Sequence, residues 1–570
     1  MISYKEKIAD ILAPQIEGLE REEILSMIET PADSKMGDYA FPCFKLAKIL
    51  RKAPPMIAKS IAEAISAESV FEKVENVNAY VNMFISKKEF ASAVISEVIE
   101  KGDDYGKSSI GKGKKVIVEY SSPNIAKPFH IGHIRSTVIG NSIYKIYDFL
   151  GYDTLRINHL GDYGTQFGKM ICAYRRWGNK EEVINEPIKS LLSYYTKFHV
   201  EAEKDPSLED EARAIFTRLE HGEKEEVELW QWFRDESLRE FNRVYDMLGI
   251  TFDSYNGESF YSDKMPRFVK ELEEKGLMEE DQGANIVRLD EYNLPPALIT
   301  KSDGSTLYIT RDIAAAVYRK ETYDFYKNIY VVASQQNLHF QQWIKIVELL
   351  GYEWAHDCVH IPFGLVSMED GTMSTREGRV IFLEDVLNKA VERTKEIIKE
   401  KNVNTESIEE TAKDVGIGAV VFNELSNYRI KDYVFSWEKV LNFEGETGPY
   451  VQYTHARACS ILRNAGDEIV AEAAKGFNPE YIAGESAHEL IKLIYRLPDI
   501  IVEAGEKYEP SVVTRHIVDI AQAFNKFYHD EHILVDNKEE KIAKVALVIA
   551  AKDAVKNGLG LLGMKAPEKM

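Results

Sequence analysis

The chain has 570 residues, 45% hydrophobic and 29% charged, which is enough apolar mass for three or four domains. The opening MISYKEKIADIL lacks the apolar core of a secretory signal, and the most apolar late stretch, Val545 to Leu562, is broken by Lys552, Asp553 and Lys556; a cytoplasmic protein with no membrane contact is expected. A formal net charge of -22 disfavours promiscuous RNA binding, and the four cysteines, Cys43, Cys172, Cys358 and Cys459, have no C-x-x-C pair to suggest a disulfide framework or a zinc ribbon.

Residues 1 to about 105 open with helical periodicity over Tyr4 to Ile16 and Ala40 to Ile65. They end in the alternating run Val74 to Ile85, which reads as a strand, so a small α+β domain is predicted. Tyr80 and Asn82 fall in that strand and can stack on and hydrogen-bond an unpaired base, or are ordinary exposed strand residues. Gly106 to Lys115 has the composition of a connector and does not fit the phosphate-loop pattern G-x-x-x-x-G-K-[ST].

Val116-Ile117-Val118-Glu119-Tyr120 is an apolar, β-branched run typical of an inner parallel strand. Beyond it, Ile134, Val138, Ile139, Ile143, Ile146 and Leu150 recur near helical spacing until Gly151 stops the helix. The intervening Pro123 to His133 places two histidines, His130 and His133, on one face of the first helical turn. Free N–H groups and the helix dipole attract anions there, which makes the junction a site for ATP phosphates, and Gly132 leaves bare surface for an adenine.

Strand-like runs at Thr154 to Asn158, Ile329 to Ala333 and His360 to Val366 alternate with helices, as a βαβ sheet requires. A highly charged helical stretch, about 181–246, reads as an insertion. His356-Asp357-Cys358-Val359-His360 alternates into Ile361-Pro362 and reads as strand rather than metal ligands, so no structural metal is expected. From about Lys401 helical periodicity dominates, over Ala412 to Leu425, Tyr453 to Ala465, Ala487 to Ala504 and Val512 to Tyr528, predicting a helical bundle.

The stretch Glu119 to His133, EYSSPNIAKPFHIGH, resembles the HIGH signature of class I aminoacyl-tRNA synthetases in the form found in the arginyl-tRNA synthetase family. NHLGDYGTQFGKMI (Asn158 to Ile171), LYITRDIAAA near residue 310 and GPYVQYTHAR near residue 450 resemble further segments of that family, so the likeness spans nearly the whole chain. It implies a multi-domain α/β plus all-α fold: an N-terminal additional α+β domain over 1–105, a Rossmann-like doubly wound catalytic domain over 106–395, and an α-helical anticodon-binding domain over 400–570. The implied reaction is ATP-dependent activation of L-arginine, with Mg²⁺ accompanying ATP, followed by transfer to tRNA(Arg), and a monomer is expected.

A guanidinium presents five donors in a planar fork and stays charged, so its pocket needs fixed carboxylates. By resemblance, Asp312 and Glu258 bind it, Tyr308 packs on it and Gln336 completes the pocket. Glu119, Ser122 and Asn124, near the strand end, are placed to hold the α-amino and carboxylate groups, and Ser-Pro-Asn is also a good turn sequence. The ATP set is Pro123, Lys127, His130, Gly132 and His133, with the histidines and Mg²⁺ expected to supply positive charge to the pyrophosphate.

The second class signature, usually KMSKS-like, reads Thr372-Met373-Ser374-Thr375-Arg376 and has neither lysine. Met373, Ser374 and Arg376 join the ATP set, and Lys127, three residues before His130, is placed to supply the missing charge. At the bundle, Tyr450 and Tyr453 lie one helical turn apart with Arg457 one turn further, and the resemblance makes Tyr450, Gln452, Tyr453 and Arg457 anticodon contacts. Tyr528 and the terminal Met570 are the remaining tRNA candidates. Competing readings are a small-molecule adenylyltransferase, a non-catalytic tRNA-binding paralogue and a class I synthetase for another amino acid; the first lacks the Asp312 pocket and the bundle.

Overall fold

The computed structural model describes residues 3–31, 33–300, 308–367, 381–400, 407–440 and 445–570. Four parallel strands form the central sheet, in the spatial order Cys358–Phe363, Lys327–Ala333, Lys115–Glu119, Asp153–Ile157. The helix Gly132–Phe149 carries the chain from Lys115–Glu119 outward on one side, and the helix Asn337–Leu349 carries it from Lys327–Ala333 outward on the other. Strand order therefore reverses between Lys115–Glu119 and Lys327–Ala333, and the crevice beyond their carboxyl ends is where such sheets bind ligands. His360 lies within the strand Cys358–Phe363, its ring stacked 4.0 Å from Phe340 and its Nε2 3.0 Å from the Val332 carbonyl.

Ahead of this sheet is a three-stranded antiparallel one, in the order Tyr39–Pro42, Tyr80–Ile85, Phe71–Val77, backed by the helices Tyr4–Leu12, Pro54–Ile65 and Lys87–Lys101. The run expected as a single strand over Val74 to Ile85 is thus a hairpin, turning at Asn78, whose φ of +53° is left-handed. The helical run expected from Ala40 begins instead as the strand Tyr39–Pro42.

The charged insertion folds as the helices Lys180–Asn185, Pro187–Lys204, Ser207–Glu220 and Lys224–Leu248. A small antiparallel sheet, Met278–Asp281, Ala284–Val287 and Ala297–Thr300, was not legible beforehand. The carboxyl-terminal bundle comprises Ile408–Ser426, Gly448–Ala465, Asp467–Lys475, Glu485–Lys507, Ser511–Asp530 and the largely buried Lys538–Leu561. Pro498 interrupts the helix Glu485–Lys507 and has no N–H for the Ile494 carbonyl; the Tyr105 hydroxyl donates to that carbonyl instead, at 3.0 Å. That bond joins the connector to the bundle. All four cysteines are buried thiols, and among the described residues no helix is long and apolar enough to cross a membrane.

Candidate active site

The loop after Lys115–Glu119 is held in uncommon backbone conformations. Ser121, Ser122 and Ala126 have φ of +69°, +46° and +58°, a cost of about 1–3 kcal/mol each that persists only where surroundings dictate it. The Ser121 hydroxyl lies 2.8 Å from both the Thr137 and Tyr245 hydroxyls, and its N–H donates to Ser136 at 2.9 Å. Asn124 is exposed and sits beside Gly161, whose N–H donates to the Pro123 carbonyl at 3.1 Å and whose carbonyl accepts from Ile125 at 3.2 Å. A Cβ on Gly161 would lie 2.0 Å from the Asn124 Oδ1, so only glycine leaves Asn124 its place. Pro123 is buried, and the half-buried Ser122 has a hydroxyl oxygen with no hydrogen-bond partner among the described residues.

The signature helix starts at Gly132, so His130 precedes it and His133 stands in its first turn, their rings 4.0 Å apart. The Gly132 N–H donates to His130 Nδ1 and the His130 N–H donates to His133 Nδ1, each at 3.1 Å. The Gly132 N–H fills Nδ1 of His130 and leaves its Nε2 to carry the proton, whereas Nδ1 of His133 also lies 3.2 Å from the His130 carbonyl, so that ring can accept from the His130 N–H or donate to the His130 carbonyl. Burial lowers the pKa of His130, and burial together with the neighbouring His130 and Lys127 lowers that of His133 to about 3. Against the expectation of two cationic histidines, burial favours the uncharged ring of each at neutral pH when no phosphate is bound. Lys127 is exposed three residues earlier and carries the positive charge of this segment.

The helix Tyr308–Tyr323 carries Tyr308 and Asp312, and the turn Glu258–Lys264 carries Glu258. Asp312 Oδ2 is 2.5 Å from His339 Nε2, and Glu258 Oε2 is 3.1 Å from Arg311 Nη1. Burial is the main cause that raises the Glu258 pKa to about 7, with Arg311 opposing and Asp312 and Asp162 adding to it. Tyr308 is 60% exposed at the mouth, and Gln336 is exposed in the turn after Lys327–Ala333. Glu119 does not present a free carboxylate to the crevice: it is buried and ion-paired with Arg319 at 2.6 Å.

Sequence reasoning missed Arg311, Arg319, His339 and Asp162. The last is buried and accepts from the Ser259 N–H at 2.8 Å, the Ser259 hydroxyl at 3.0 Å and Arg234 at 3.2 Å, which fixes the segment bearing Glu258. Asp162 and Arg311 each lay within a recognised segment, Asn158 to Ile171 and LYITRDIAAA, without being singled out. Met373, Ser374 and Arg376 lie outside the described residues.

On the bundle, Arg457 is stacked against two tyrosines, 4.8 Å from the Tyr453 ring and 5.2 Å from the Tyr528 ring, and both rings are 45% exposed. Tyr450 is half-buried and its hydroxyl accepts from Asn525 at 2.9 Å. Gln452 is fully buried and its amide donates to the carbonyls of Asp414 and Lys565, so it anchors the carboxyl-terminal tail and does not face a ligand. Asn82 is likewise 1% exposed, because its strand is the middle one of three; its neighbour Tyr80 stays half-exposed, edge-on to Phe44 at 5.5 Å. Met570 is half-buried at the chain end.

A family model described as "tRNA synthetases class I (R), catalytic domain" matches residues 94–437. Others match an "Arginyl tRNA synthetase N terminal domain" at 3–85 and a "DALR anticodon binding domain" at 451–570. The arginine–tRNA ligases of Halothermothrix orenii and Clostridioides difficile are 60% and 59% identical over the full length of both chains. The solved arginyl-tRNA synthetases of Thermus thermophilus and Plasmodium falciparum share the fold, with TM-scores of 0.78 and 0.77 over 99% of each chain at 24% identity. A strained loop that leads from the strand-order reversal to the paired rings of His130 and His133 agrees with this kinship, and the chain belongs to the arginyl-tRNA synthetase family of class I.

Proposed function

We infer that the chain charges tRNA with arginine: ATP and L-arginine form arginyl-adenylate with release of pyrophosphate, and the terminal ribose of tRNA(Arg) then takes the arginyl group with release of AMP. The observation that supports this reading is that Asp312 and Glu258 lie near enough for one carboxylate to act on the other, two acidic groups suited to a guanidinium, while the paired rings of His130 and His133 stand at the start of the signature helix, where phosphates are favoured. Substrate arginine lays its guanidinium against Asp312, Glu258 and Tyr308, with Gln336 at the mouth, while Asn124 and Ser122 orient its α-amino and carboxylate groups. The carboxylate attacks the α-phosphorus in line, and the enzyme contributes position and charge compensation rather than covalent chemistry. Nε2–H of His130 donates to the phosphates, with the His133 ring beside it, and because burial opposes a charge on either ring, Lys127 and the Mg²⁺ carried by ATP do most to neutralise the departing pyrophosphate. The unit at 1–105 holds the outer corner of the tRNA through Tyr80, and the bundle at 400–570 reads the anticodon loop through Tyr453, Arg457 and Tyr528, with Met570 closing beside it. The enzyme is proposed to act as a cytoplasmic monomer.

The test is ATP–pyrophosphate exchange with each amino acid, with and without tRNA(Arg). Exchange with arginine alone among them supports the reading, and a requirement for tRNA adds that its docking completes the site. Tight tRNA binding with no exchange would instead identify a non-catalytic paralogue.

A further inference from the structure

The pocket for arginine already contains one. Arg311 precedes Asp312 on the helix Tyr308–Tyr323, is 6% exposed, and brings Nη1 to 3.1 Å from Glu258 Oε2. Its guanidinium lies 4.8 Å from the Tyr163 ring and 5.3 Å from the Tyr308 ring. Glu258 and Tyr308 are two of the groups assigned above to the substrate's guanidinium, so a side chain with the same head group occupies part of its recognition set. The contact is unfinished: Nε of Arg311 is buried without a hydrogen bond among the described residues, and Nη1 meets Glu258 only as a 3.1 Å ion pair outside hydrogen-bond geometry. A buried guanidinium settled into a purely structural ion pair normally has its donors filled.

Charge balance explains why a pocket for a cation would carry a cation of its own. Glu258 and Asp312, with Asp162 close behind, would repel one another when all are ionised, and one substrate guanidinium cannot compensate them. Arg234 already offsets Asp162, at 3.2 Å. With Arg311 against Glu258, Asp312 alone stands unmatched by an arginine, and its side chain is 31% exposed toward the crevice, with His339 as neighbour.

We propose that Arg311 is a specificity-determining positioning residue, a resident guanidinium that compensates Glu258, orients it together with Tyr308, and leaves the pocket one negative charge for one incoming guanidinium. The inference rests on the arginine pocket of the proposed function. Lysine cannot replace it fully, because a point charge on a flexible stem neither spans the carboxylate nor stacks between two tyrosine rings.

The experiment compares wild-type enzyme with Arg311→Gln and Arg311→Lys in full aminoacylation assays, reading KM for arginine and KM for ATP separately from pH 6 to 8.5. Arg311→Gln is expected to raise KM for arginine by roughly 10- to 100-fold, the value of a hydrogen bond to a charged group, with KM for ATP unchanged. Without Arg311 the carboxyl of Glu258, facing Asp312 and Asp162, holds its proton to higher pH, so the variant's KM for arginine should climb more steeply as pH falls than that of the wild type. Arg311→Lys should keep the wild-type pH slope at an intermediate KM, and added guanidinium ion should restore part of the affinity of Arg311→Gln alone. Unchanged KM for arginine in both variants, or equal rises for arginine and ATP, would overturn the proposal. Should Arg311→Gln fail to fold, the same KM comparison on Arg311→Lys decides. A wild-type enzyme that charges no arginine would instead defeat the pocket assignment itself, so the two failures are told apart.

Discussion

Nε of Arg135 lies 3.3 Å from the Glu424 carboxylate, with both side chains no more than 2% exposed. Arg135 is two residues past His133 on the helix Gly132–Phe149, and Glu424 belongs to the bundle helix Ile408–Ser426. The same guanidinium donates to the carbonyls of Gly364, Arg429 and Lys431 at 3.0, 3.1 and 2.7 Å, and Arg429 continues to the Tyr508 carbonyl at 3.0 Å. One buried arginine therefore ties the signature helix to the bundle.

Removing either end of that pair should have unequal effects. Arg135→Met takes the donor from three carbonyls and leaves the buried Glu424 carboxyl to hold its proton to still higher pH, and should cost about 1–3 kcal/mol in urea unfolding. Glu424→Gln should cost less, because Arg135 keeps its three carbonyl partners. Burial raises the Glu424 carboxyl to about 8. The folded state therefore holds that proton more tightly than the unfolded chain, and the stability it confers is lost as pH rises from the ordinary carboxylate range through about 8. Glu424→Gln should flatten this part of a pH–stability profile; an unaltered slope would place the proton elsewhere.

His133 acts with the opposite sign. Its folded pKa of about 3 lies below the usual imidazole value, so its contribution is present above about 6.5 and is lost as pH falls toward 3. His133→Asn should keep a polar side chain, lose most exchange activity and reduce the acid-side fall in melting temperature. Between the carboxylate range and 6.5 the Glu424 and His133 slopes oppose each other, so the two single variants should shift the profile in opposite directions.

The sequence was most informative where neighbours in the chain are also neighbours in space. The strand, loop and helix from Lys115 to Leu150 could be read because its apolar spacing, histidine pair and stopping glycine all act within one βα unit. Partners fixed by tertiary packing were not legible: nothing local couples Glu258 to Arg311, Asp312 to His339 or Glu119 to Arg319. Alternation also misled at Asn82, since a strand flanked on both edges and packed on the helices is buried at positions that would otherwise face solvent. Gln452 lies between two readable positions, Tyr450 and Tyr453, but on the face of its helix turned to the carboxyl-terminal tail.

Lys127 and Arg376 can be ranked by exchange kinetics. Burial opposes a charge on the histidines, so Lys127 is left as the cation of the first signature, and the second has lost both its usual lysines. Lys127→Ala should lower ATP–pyrophosphate exchange by about 10²–10³-fold, comparable to deleting one transition-state donor, with melting temperature preserved because the side chain is exposed. Arg376→Ala should lower it far less. Equal, small losses from both would mean that neither substitutes for the missing lysines.

The bundle offers a contrast between two residues five apart on one helix. Arg457 lies against the partly exposed rings of Tyr453 and Tyr528, a cation and two aromatic rings proposed to meet the RNA, whereas Gln452 is sealed against the Asp414 and Lys565 carbonyls. Tyr453→Ala should weaken tRNA binding by about 1–3 kcal/mol, the range for loss of one stacked base. Arg457→Ala should weaken it too and lessen its salt dependence, since a phosphate-neutralising cation is lost. Neither should change the melting temperature much. Gln452→Leu should do the reverse: it removes two hydrogen bonds that hold the Lys565 segment to the helix Ile408–Ser426, costing about 0.5–1.5 kcal/mol each, and affects tRNA binding only as far as the tail detaches. Nitrocellulose filter binding across a salt series, run beside thermal unfolding, separates the cases. A Gln452→Leu enzyme with native stability and lost tRNA affinity would return that residue to the contact surface, and an Arg457→Ala enzyme with unchanged affinity and salt slope would remove the tyrosine–arginine stack from it.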